Sequence, residues 1–130
     1  MKNIITIYFD GGSIGNPGKG YGSFQVSCQQ FNRSKIRVKF GDFLTCNEAE
    51  YLALIDSLNY LNSIVEDKYN TKLDIFSDSE LVVKQVEGKW KCKKVHLRRL
   101  LNMVLELLEE YDSYRISWNS RDVNVEKFGH

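Results

Sequence analysis

The sequence predicts a single α/β domain with a mixed five-stranded sheet, in which three antiparallel strands precede the parallel ones. Two stretches between residues 24 and 40 alternate apolar and polar side chains, which is typical of antiparallel strands with one buried and one solvated face. After residue 45 the apolar spacing becomes helical, and a helix between the third and fourth strands implies a parallel crossover. The predicted order is β-β-β-α-β-α-α-β, with helices packed on the sheet.

Five segments have strand patterns. Residues 3–9 are rich in β-branched and aromatic side chains and predict a first strand that ends at Asp10. Residues 11–22 hold six of the nine glycines and the only proline, so they predict a tight turn region. Short strands are predicted over residues 73–76 and 115–118. The alternating apolar positions are Phe24, Val26 and Cys28 in the second strand and Ile36, Val38 and Phe40 in the third.

Three helices follow from apolar stripes and capping signals. Residues 45–48 (Thr-Cys-Asn-Glu) match a capping box, and residues 77–80 (Ser-Asp-Ser-Glu) are a second match that opens a helix through about Val86. The first and third helices are amphipathic. Their stripes are Tyr51, Leu54, Ile55, Leu58 and Leu61 in the first, and Leu97, Leu100, Leu101, Val104, Leu108 and Tyr111 in the third.

Length and composition indicate one domain over residues 1–130, with the 42% hydrophobic and 27% charged residues of an ordinary globular protein. No stretch approaches the roughly 20 apolar residues of a membrane-spanning helix, and the start lacks the pattern of a signal peptide. The three cysteines, Cys28, Cys46 and Cys92, form no CxxC pair, which argues against a disulfide framework or a zinc site. We therefore expect a cytoplasmic protein with no membrane partner.

The net charge is only +1, but the basic residues are unevenly distributed. Residues 84–99 contain seven basic side chains and only one acidic residue, Glu87. Such a basic patch either binds along a phosphate backbone or is simply a solvated face. The third strand carries a second basic set, which either extends a substrate path or solvates a sheet edge. The two sets are Lys84, Lys89, Lys91, Lys93, Lys94, Arg98 and Arg99, and then Arg33, Lys35, Arg37 and Lys39.

Three acids are candidates for one site. Asp10 and Asp78 end strands, and open α/β sheets bind ligands beyond the carboxyl ends of their strands. Glu50 lies four residues before Leu54 and therefore falls near the apolar stripe. Each has a structural explanation: a turn for Asp10, a favourable helix dipole for Glu50 and a helix cap for Asp78. Brought together, however, they would repel unless a hard cation such as Mg²⁺ took their oxygens.

The segments around these acids resemble type 1 ribonuclease H. Residues 8–18 read Tyr-Phe-Asp-Gly-Gly-Ser-Ile-Gly-Asn-Pro-Gly, residues 45–51 read Thr-Cys-Asn-Glu-Ala-Glu-Tyr, and residues 76–82 read Phe-Ser-Asp-Ser-Glu-Leu-Val. All three come in that family's order and spacing, and the resemblance covers residues 1–119. Residues 88–94 form only a short basic segment, as in compact members that lack the long basic handle helix. The resemblance implies a ribonuclease H-like fold.

The resemblance also implies an activity and its residues. Asp10, Glu50 and Asp78 would be the catalytic, metal-binding acids, with Mg²⁺ or Mn²⁺ as cofactor and two ions at the site. The substrate would be an RNA–DNA hybrid, cut in its RNA strand to leave 3′-hydroxyl and 5′-phosphate ends. Asn16 and Asn47 would contact its minor groove, where 2′-hydroxyls distinguish RNA from DNA.

Further substrate contacts are more open. Gly11 and Gly12 are either positions of close backbone approach to the substrate or simple turn residues. Trp90 would flank the DNA backbone, or else be a buried residue that holds two helices together. We expect a monomer.

The match breaks in the last motif, Arg-x-x-Asn-x-x-Ala-Asp, whose Asp is the family's fourth active-site acid. Here Arg121 and Asn124 fit, but Phe128 takes the place of the acid, and Asp122 and Glu126 are weak substitutes. Many relatives continue into a final helix, which this chain is expected to lack. A missing acid should weaken the second ion, lower activity and favour Mn²⁺.

Three functions remain open. The first is the hybrid-cleaving enzyme, and the second is a catalytically weak or inactive module that binds hybrid or duplex. The third is a nucleotide-binding protein whose glycine loop cradles phosphates, which lacks the Gly-Lys-Ser/Thr that normally follows such a loop.

Overall fold

The computed structural model describes residues 3–129, so residues 1, 2 and 130 of the predicted domain lie outside the described residues. One mixed five-stranded sheet has the order β3-β2-β1-β4-β5, as the sequence predicts. No helix within residues 3–129 is both long enough and apolar enough to span a membrane. The elements are β1 (Asn3–Gly15), β2 (Gly18–Ser27), β3 (Asn32–Leu44), α1 (Cys46–Ile64), a 3₁₀ turn (Lys68–Asn70), β4 (Thr71–Ser77), α2 (Glu80–Val86), α3 (Val95–Leu108), β5 (Ser113–Trp118) and α4 (Arg121–Phe128).

Strands β1 and β2 form a long hairpin. Their antiparallel pairing runs from Thr6 opposite Ser27 to Gly15 opposite Gly18. The prediction of a turn region over residues 11–22 is therefore wrong in extent, because most of these residues are paired strand and only residues 16 and 17 connect them. The glycines serve close packing instead: a Cβ on Gly18 would lie 1.9 Å from the carbonyl oxygen of Ile14.

Strand β4 lies beside β1 and parallel to it, which confirms the predicted crossover through α1. The pairing begins with Asn3 opposite Thr71 and ends with Tyr8 opposite Phe76. Asp10 is inside β1 rather than at its end, but it lies just past this parallel segment. Asp10 and Asp78 therefore meet at the same sheet edge, because Asp78 directly follows β4.

The core lies between the sheet and the helices. The predicted stripe of α1 is buried throughout, and α1 packs mainly on β1 and β2, whose buried residues include Ile7, Phe9 and Phe24. In α3, Leu97, Val104 and Leu108 are buried, whereas Leu100 and Leu101 are half-buried. Burial of this apolar surface is the main force that holds the helices on the sheet.

Strand β3 departs from the prediction of one buried and one wet face. None of its described residues is buried, and Ile36 is 49% exposed. The reason is position, because β3 is an edge strand and α1 packs mainly on β1 and β2. Its pairing with β2 is also irregular, with register shifts that include one between Gly22 and Phe24.

Two helix starts differ from the sequence prediction. The helix α2 begins at Glu80 with Ser79 as its N-cap, not Ser77, because pairing of Ser77 with Trp118 keeps that residue in β4. The helix α4 follows β5 where no element was predicted. Its eight residues show no apolar stripe, and its buried members are Asn124 and Phe128.

Candidate active site

Asp10, Glu50 and Asp78 converge at one edge of the sheet. Asp10 lies in β1, Glu50 in the first turns of α1, and Asp78 in the residue pair that links β4 to α2. Each offers a carboxylate oxygen, and these oxygens all lie within 4.8 Å of one another. Asp10 is only 6% exposed and Glu50 only 9% exposed. Three acids that are 28 to 68 residues apart in sequence are thus gathered at one place, where two of them are nearly shielded from solvent.

Local interactions fix where Glu50 lies. The predicted capping box at the start of α1 is confirmed, since Thr45 Oγ1 accepts from the Glu48 amide at 3.1 Å and Glu48 Oε1 accepts from the Thr45 amide at 2.9 Å. The helix therefore begins at a defined residue. From that start Glu50 faces the sheet rather than solvent.

Gly11 joins the strand to the helix at this point. Its amide lies 3.0 Å from Asp10 Oδ1 and 3.1 Å from Glu50 Oε2, and it donates to both carboxylates. A Cβ at Gly11 would lie 2.4 Å from the carbonyl carbon of Ala49, so any side chain would push α1 away from β1. Gly12 is also closely packed, because a Cβ there would lie 2.8 Å from the hydroxyl of Tyr21. Close packing within the protein is therefore one reason for glycine at both positions.

The site concentrates negative charge. Burial, and then the nearby Asp78 carboxylate, raise the pKa of Asp10 from 3.8 to about 7. Burial, followed by repulsion from Asp10 and Asp78, also raises the pKa of Glu50 well above its usual value. These directions show that placing three ionised carboxylates here is unfavourable unless positive charge balances them. All-oxygen donors gathered in this way suit a hard divalent cation.

The last helix supports Asp10 from the side. The amide nitrogen of Asn124 donates to the Phe9 carbonyl oxygen at 3.4 Å, and Asn119 Nδ2 donates to Asn124 Oδ1 at 2.9 Å. A hydrogen bond from Asn124 also favours the ionised form of Asp10 and lowers its pKa. Phe128 is buried in the same helix. Asp122 and Glu126, the weak substitutes for a fourth acid, are exposed and do not line the carboxylate cleft.

An open cleft of about 550 Å³ contains the three acids. Two arginines, Arg37 and Arg121, line it as well. The sequence offered Arg37 only as one of the basic residues of the third strand and gave no signal for Tyr21. Only the pairing of β2 with β1 and β3 brings these two residues to the cleft. The other lining residues are Gly11, Gly12, Ser13, Cys46 and Gly129.

The remaining predicted site residues lie outside this cleft. Asn16 is exposed in the hairpin turn, and its Oδ1 accepts from the Cys46 amide at 3.1 Å. Asn47 is half-buried in the first turn of α1. Trp90 is 44% exposed after α2, so the alternative of a buried tryptophan between two helices is wrong. Its amide bonds the Lys84 carbonyl oxygen, which fixes the backbone of this basic segment.

Comparison with known proteins agrees with this geometry. A family model described as reverse transcriptase-like matches residues 28–126. The ribonuclease HI of Halobacterium salinarum is 36% identical over 92% of this chain, and the bifunctional protein Rv2228c of Mycobacterium tuberculosis is 31% identical over 93%. The chain spans only 58% and 32% of the length of these two curated relatives.

Solved structures match along most of their length. The ribonuclease H domain of the mycobacterial protein superposes with a TM-score of 0.83 at 27% identity, covering 94% of this chain and 91% of that one. The Halobacterium salinarum ribonuclease H1 gives 0.79 at 30% identity, with coverage of 93% and 89%. The LC11 ribonuclease H1, isolated from compost and solved in complex with an RNA/DNA hybrid, gives 0.80 at 26% identity, with coverage of 94% and 89%.

The sheet order and these matches define a ribonuclease H-like domain. Within that class the chain belongs to the type 1 ribonuclease H family.

Proposed function

We propose that this chain is a metal-dependent endonuclease that hydrolyses the RNA strand of RNA–DNA hybrids and leaves 3′-hydroxyl and 5′-phosphate ends. The observation that carries the proposal is the convergence of Asp10, Glu50 and Asp78 within 4.8 Å in a cleft of a type 1 ribonuclease H fold. A relative of the same fold, LC11 ribonuclease H1, has been solved with an RNA/DNA hybrid, which supports the same substrate here.

The three carboxylates fit a divalent cation. Their donors are all oxygen, burial and then mutual repulsion raise the pKa of Asp10 and Glu50, and a cation would relieve that repulsion. We assign Asp10, Glu50 and Asp78 as its ligands, with Mg²⁺ as the physiological ion, Mn²⁺ as a substitute and two ions per site. Bound there, divalent ions supply an activated water nucleophile and stabilise the leaving oxygen.

The protein's own groups hold this site in place. The Gly11 amide, which bonds both Asp10 and Glu50, fixes the separation of the first strand from the first helix. Asn124 holds the backbone of Phe9 next to Asp10. Such fixed donors and acceptors require little reorganisation during reaction, which is a large source of catalytic power.

Substrate contacts extend outward from the carboxylates. We propose that Gly11, Gly12, Asn16 and Asn47 approach the minor groove of the hybrid, where an amide can both donate to and accept from a 2′-hydroxyl. The hydrogen bond from Cys46 to Asn16 brings the hairpin turn next to the start of α1, so the two asparagines lie on neighbouring segments. Exposed Trp90, among basic residues, is proposed to contact the DNA strand.

The alternative, a weak or inactive module that binds hybrid, rests on Phe128 in place of the family's fourth acid. The three other acids are present and gathered, which favours the enzyme. We propose that the protein acts as a monomer in the cytoplasm. Light scattering after size exclusion and cell fractionation test these two statements.

The test compares two isosteric glutamate variants. Glu50→Gln removes a proposed ligand, whereas Glu48→Gln keeps the helix cap, because glutamine serves equally in a capping box. Both are assayed with Mg²⁺ on an RNA–DNA hybrid, single-stranded RNA, duplex RNA and duplex DNA, and the product ends are identified by their reaction with a phosphatase and a ligase.

The proposal expects hybrid-specific cleavage by the wild-type protein and by Glu48→Gln, with a loss of at least about a hundredfold in Glu50→Gln. Hybrid binding without cleavage in the wild type would establish the binding module instead. Equal cleavage rates for the two variants would show that Glu50 is not a ligand in the catalytic site.

A further inference from the structure

Arg37 is the only described residue other than glycine with a positive φ, which is 53°. A left-handed conformation costs an ordinary residue roughly 1–2 kcal/mol, so its surroundings must impose it. They include a hydrogen bond from the Arg37 amide to Ser23 Oγ at 2.9 Å. This bond crosses from β3 to β2 at the irregular part of their pairing.

A β-bulge at this point redirects the side chain. Gly22 pairs with Val38 and Phe24 pairs with Lys35, so residues 36 and 37 together face the single Ser23. Bulges commonly re-aim a side chain beside an active site. The amino group of Lys35, before the bulge, lies 5.8 Å from the ring centroid of Tyr60 in α1, on the helix side of the sheet.

After the bulge, the guanidinium of Arg37 lies 4.8 Å from the ring centroid of Tyr21 and lines the carboxylate cleft. Tyr21 pairs with Gly12, two residues after Asp10 on the same strand. The basic set on β3 is therefore not one uniform solvated edge. Arg37 is its only member among the residues that line the cleft.

The guanidinium is available to a ligand. Among the described residues 3–129, it has no carboxylate within salt-bridge distance and no side-chain hydrogen bond. The guanidinium lies over the Tyr21 ring, a contact that uses none of its N–H donors in a side-chain hydrogen bond. Such a fixed fork suits bidentate binding of a phosphate. It also brings positive charge to a cleft whose carboxylates repel phosphates.

We propose that Arg37 binds a backbone phosphate of the nucleic-acid strand in this cleft and so positions that strand against the carboxylates. The inference rests on the proposed function and adds a binding residue to it. Tyr21 acts through Arg37 as a positioning residue, because its ring contacts the guanidinium.

The test uses two arginines of the same strand. Arg37→Gln removes the proposed contact, and Arg33→Gln removes the same charge from a guanidinium that bonds the Asn32 carbonyl oxygen and does not line the cleft. Steady-state cleavage of a hybrid is measured over a range of salt concentrations, and thermal unfolding checks that each variant folds. Arg37→Lys, which keeps the charge but not the planar fork, is the third variant.

We expect Arg37→Gln to raise KM about tenfold or more with kcat changed less than about twofold, since a hydrogen bond to a charged group accounts for roughly this factor. The plot of log(kcat/KM) against log[salt] has a negative slope, and the magnitude of that slope should decrease by about 0.7–0.9, which corresponds to one lost phosphate contact. Arg33→Gln should change KM by less than about twofold. Arg37→Lys should have the salt dependence of the wild type, but its KM should remain higher than that of the wild type.

A second measurement locates the phosphate. A single neutral methylphosphonate is placed at successive positions of the hybrid. At one position it should raise the KM of the wild type and of Arg33→Gln but leave the KM of Arg37→Gln unchanged. The inference is overturned by equal KM values for the two glutamine variants, or by the absence of any such position, in a wild-type protein that cleaves normally. A wild-type protein that neither binds nor cleaves hybrid overturns the proposed function together with it.

Discussion

The side-chain amide of Asn124 donates a hydrogen bond to the main-chain carbonyl oxygen of Phe9, 3.4 Å away and 115 residues earlier in the chain. Phe9 immediately precedes Asp10, and Asn124 is completely buried. Asn119 bonds Asn124 in turn, at 2.9 Å. The last helix is thus attached to the strand that carries one of the three acids.

Replacement of Asn124 should therefore affect both stability and activity. Asn124→Ala leaves the Phe9 carbonyl without this partner, so we expect the free energy of unfolding to fall by about 1–3 kcal/mol. Hybrid cleavage should fall at least about tenfold, because Asp10 loses the hydrogen bond from Asn124 and the neighbouring Phe9 backbone is no longer held. Urea unfolding and kcat/KM measure the two effects. Asn102→Ala, at an exposed position of α3, is the control and should change both quantities little. An equally small effect of Asn124→Ala would contradict the role of Asn124.

Stability of the metal-free protein should depend on the ionisation of Asp10. Its pKa in the folded state is about 7, against an ordinary 3.8, so the folded protein retains a proton that the unfolded chain releases. The contribution of this group to stability is therefore present below about pH 4 and is lost as the pH rises to about 7.

The variant Asp10→Asn isolates that contribution. Its advantage in unfolding free energy over the wild type should grow between pH 4 and pH 7 by at least ~1 kcal/mol and then level off. Saturating Mg²⁺ should remove the advantage, since the cation stabilises the ionised wild-type site. Asp42→Asn, the same substitution at an exposed position of β3, is the control variant. A flat difference for Asp10→Asn across this range would contradict the account.

Gly11 should tolerate no side chain. A Cβ there would lie 2.4 Å from the backbone of Ala49, so Gly11→Ala must displace α1 and with it Glu50. We expect a loss of about 1–3 kcal/mol in stability and a larger relative loss of cleavage. Gly41→Ala is the matched control, because its new methyl would be in ordinary contact, 3.6 Å from Leu44. Thermal unfolding and single-turnover cleavage of both variants provide the comparison.

The absent fourth acid should be visible in the metal requirement. Phe128 is buried where the family motif has aspartate, so a second ion would have one ligand fewer. Activity should continue to rise at Mg²⁺ concentrations that saturate a tight site, and Mn²⁺ should give higher activity than Mg²⁺. Titration of each metal against the cleavage rate checks this. Ordinary saturation with Mg²⁺ and full activity would show that three carboxylates suffice.

Local signals in the sequence made the three acids candidates, and the resemblance to type 1 ribonuclease H implied that they form one metal site. Asp10 and Asp78 follow β-rich segments, and the capping box fixes where α1 begins and hence where Glu50 points. The helix start at Ser79 was missed, although it too is local, because the strand pairing of Ser77 with Trp118 decides between two serines. Pairing across 41 residues leaves no trace in a capping pattern.

The surroundings of the acids could not be predicted in the same way. The positive φ of Arg37 lies at a bulge in the pairing of β3 with β2, and nothing in the alternation of residues 33–39 marks it. The helix α4 has no apolar stripe, and it is attached through the contact of Asn124 with a residue 115 positions away. Features that depend on distant partners appear only when the sheet is assembled.

The most direct test of the central claim is cleavage of an end-labelled RNA strand annealed to DNA, with Mg²⁺, by the wild type, Asp78→Asn and Asp74→Asn. Asp74 lies in β4 four residues before Asp78 and outside the cleft, where it forms an ion pair with Arg115 at 3.3 Å. The account predicts cleavage by the wild type and Asp74→Asn, abolished by a chelator, and none by Asp78→Asn. Cleavage by Asp78→Asn at the wild-type rate, or wild-type cleavage that survives the chelator, would contradict it.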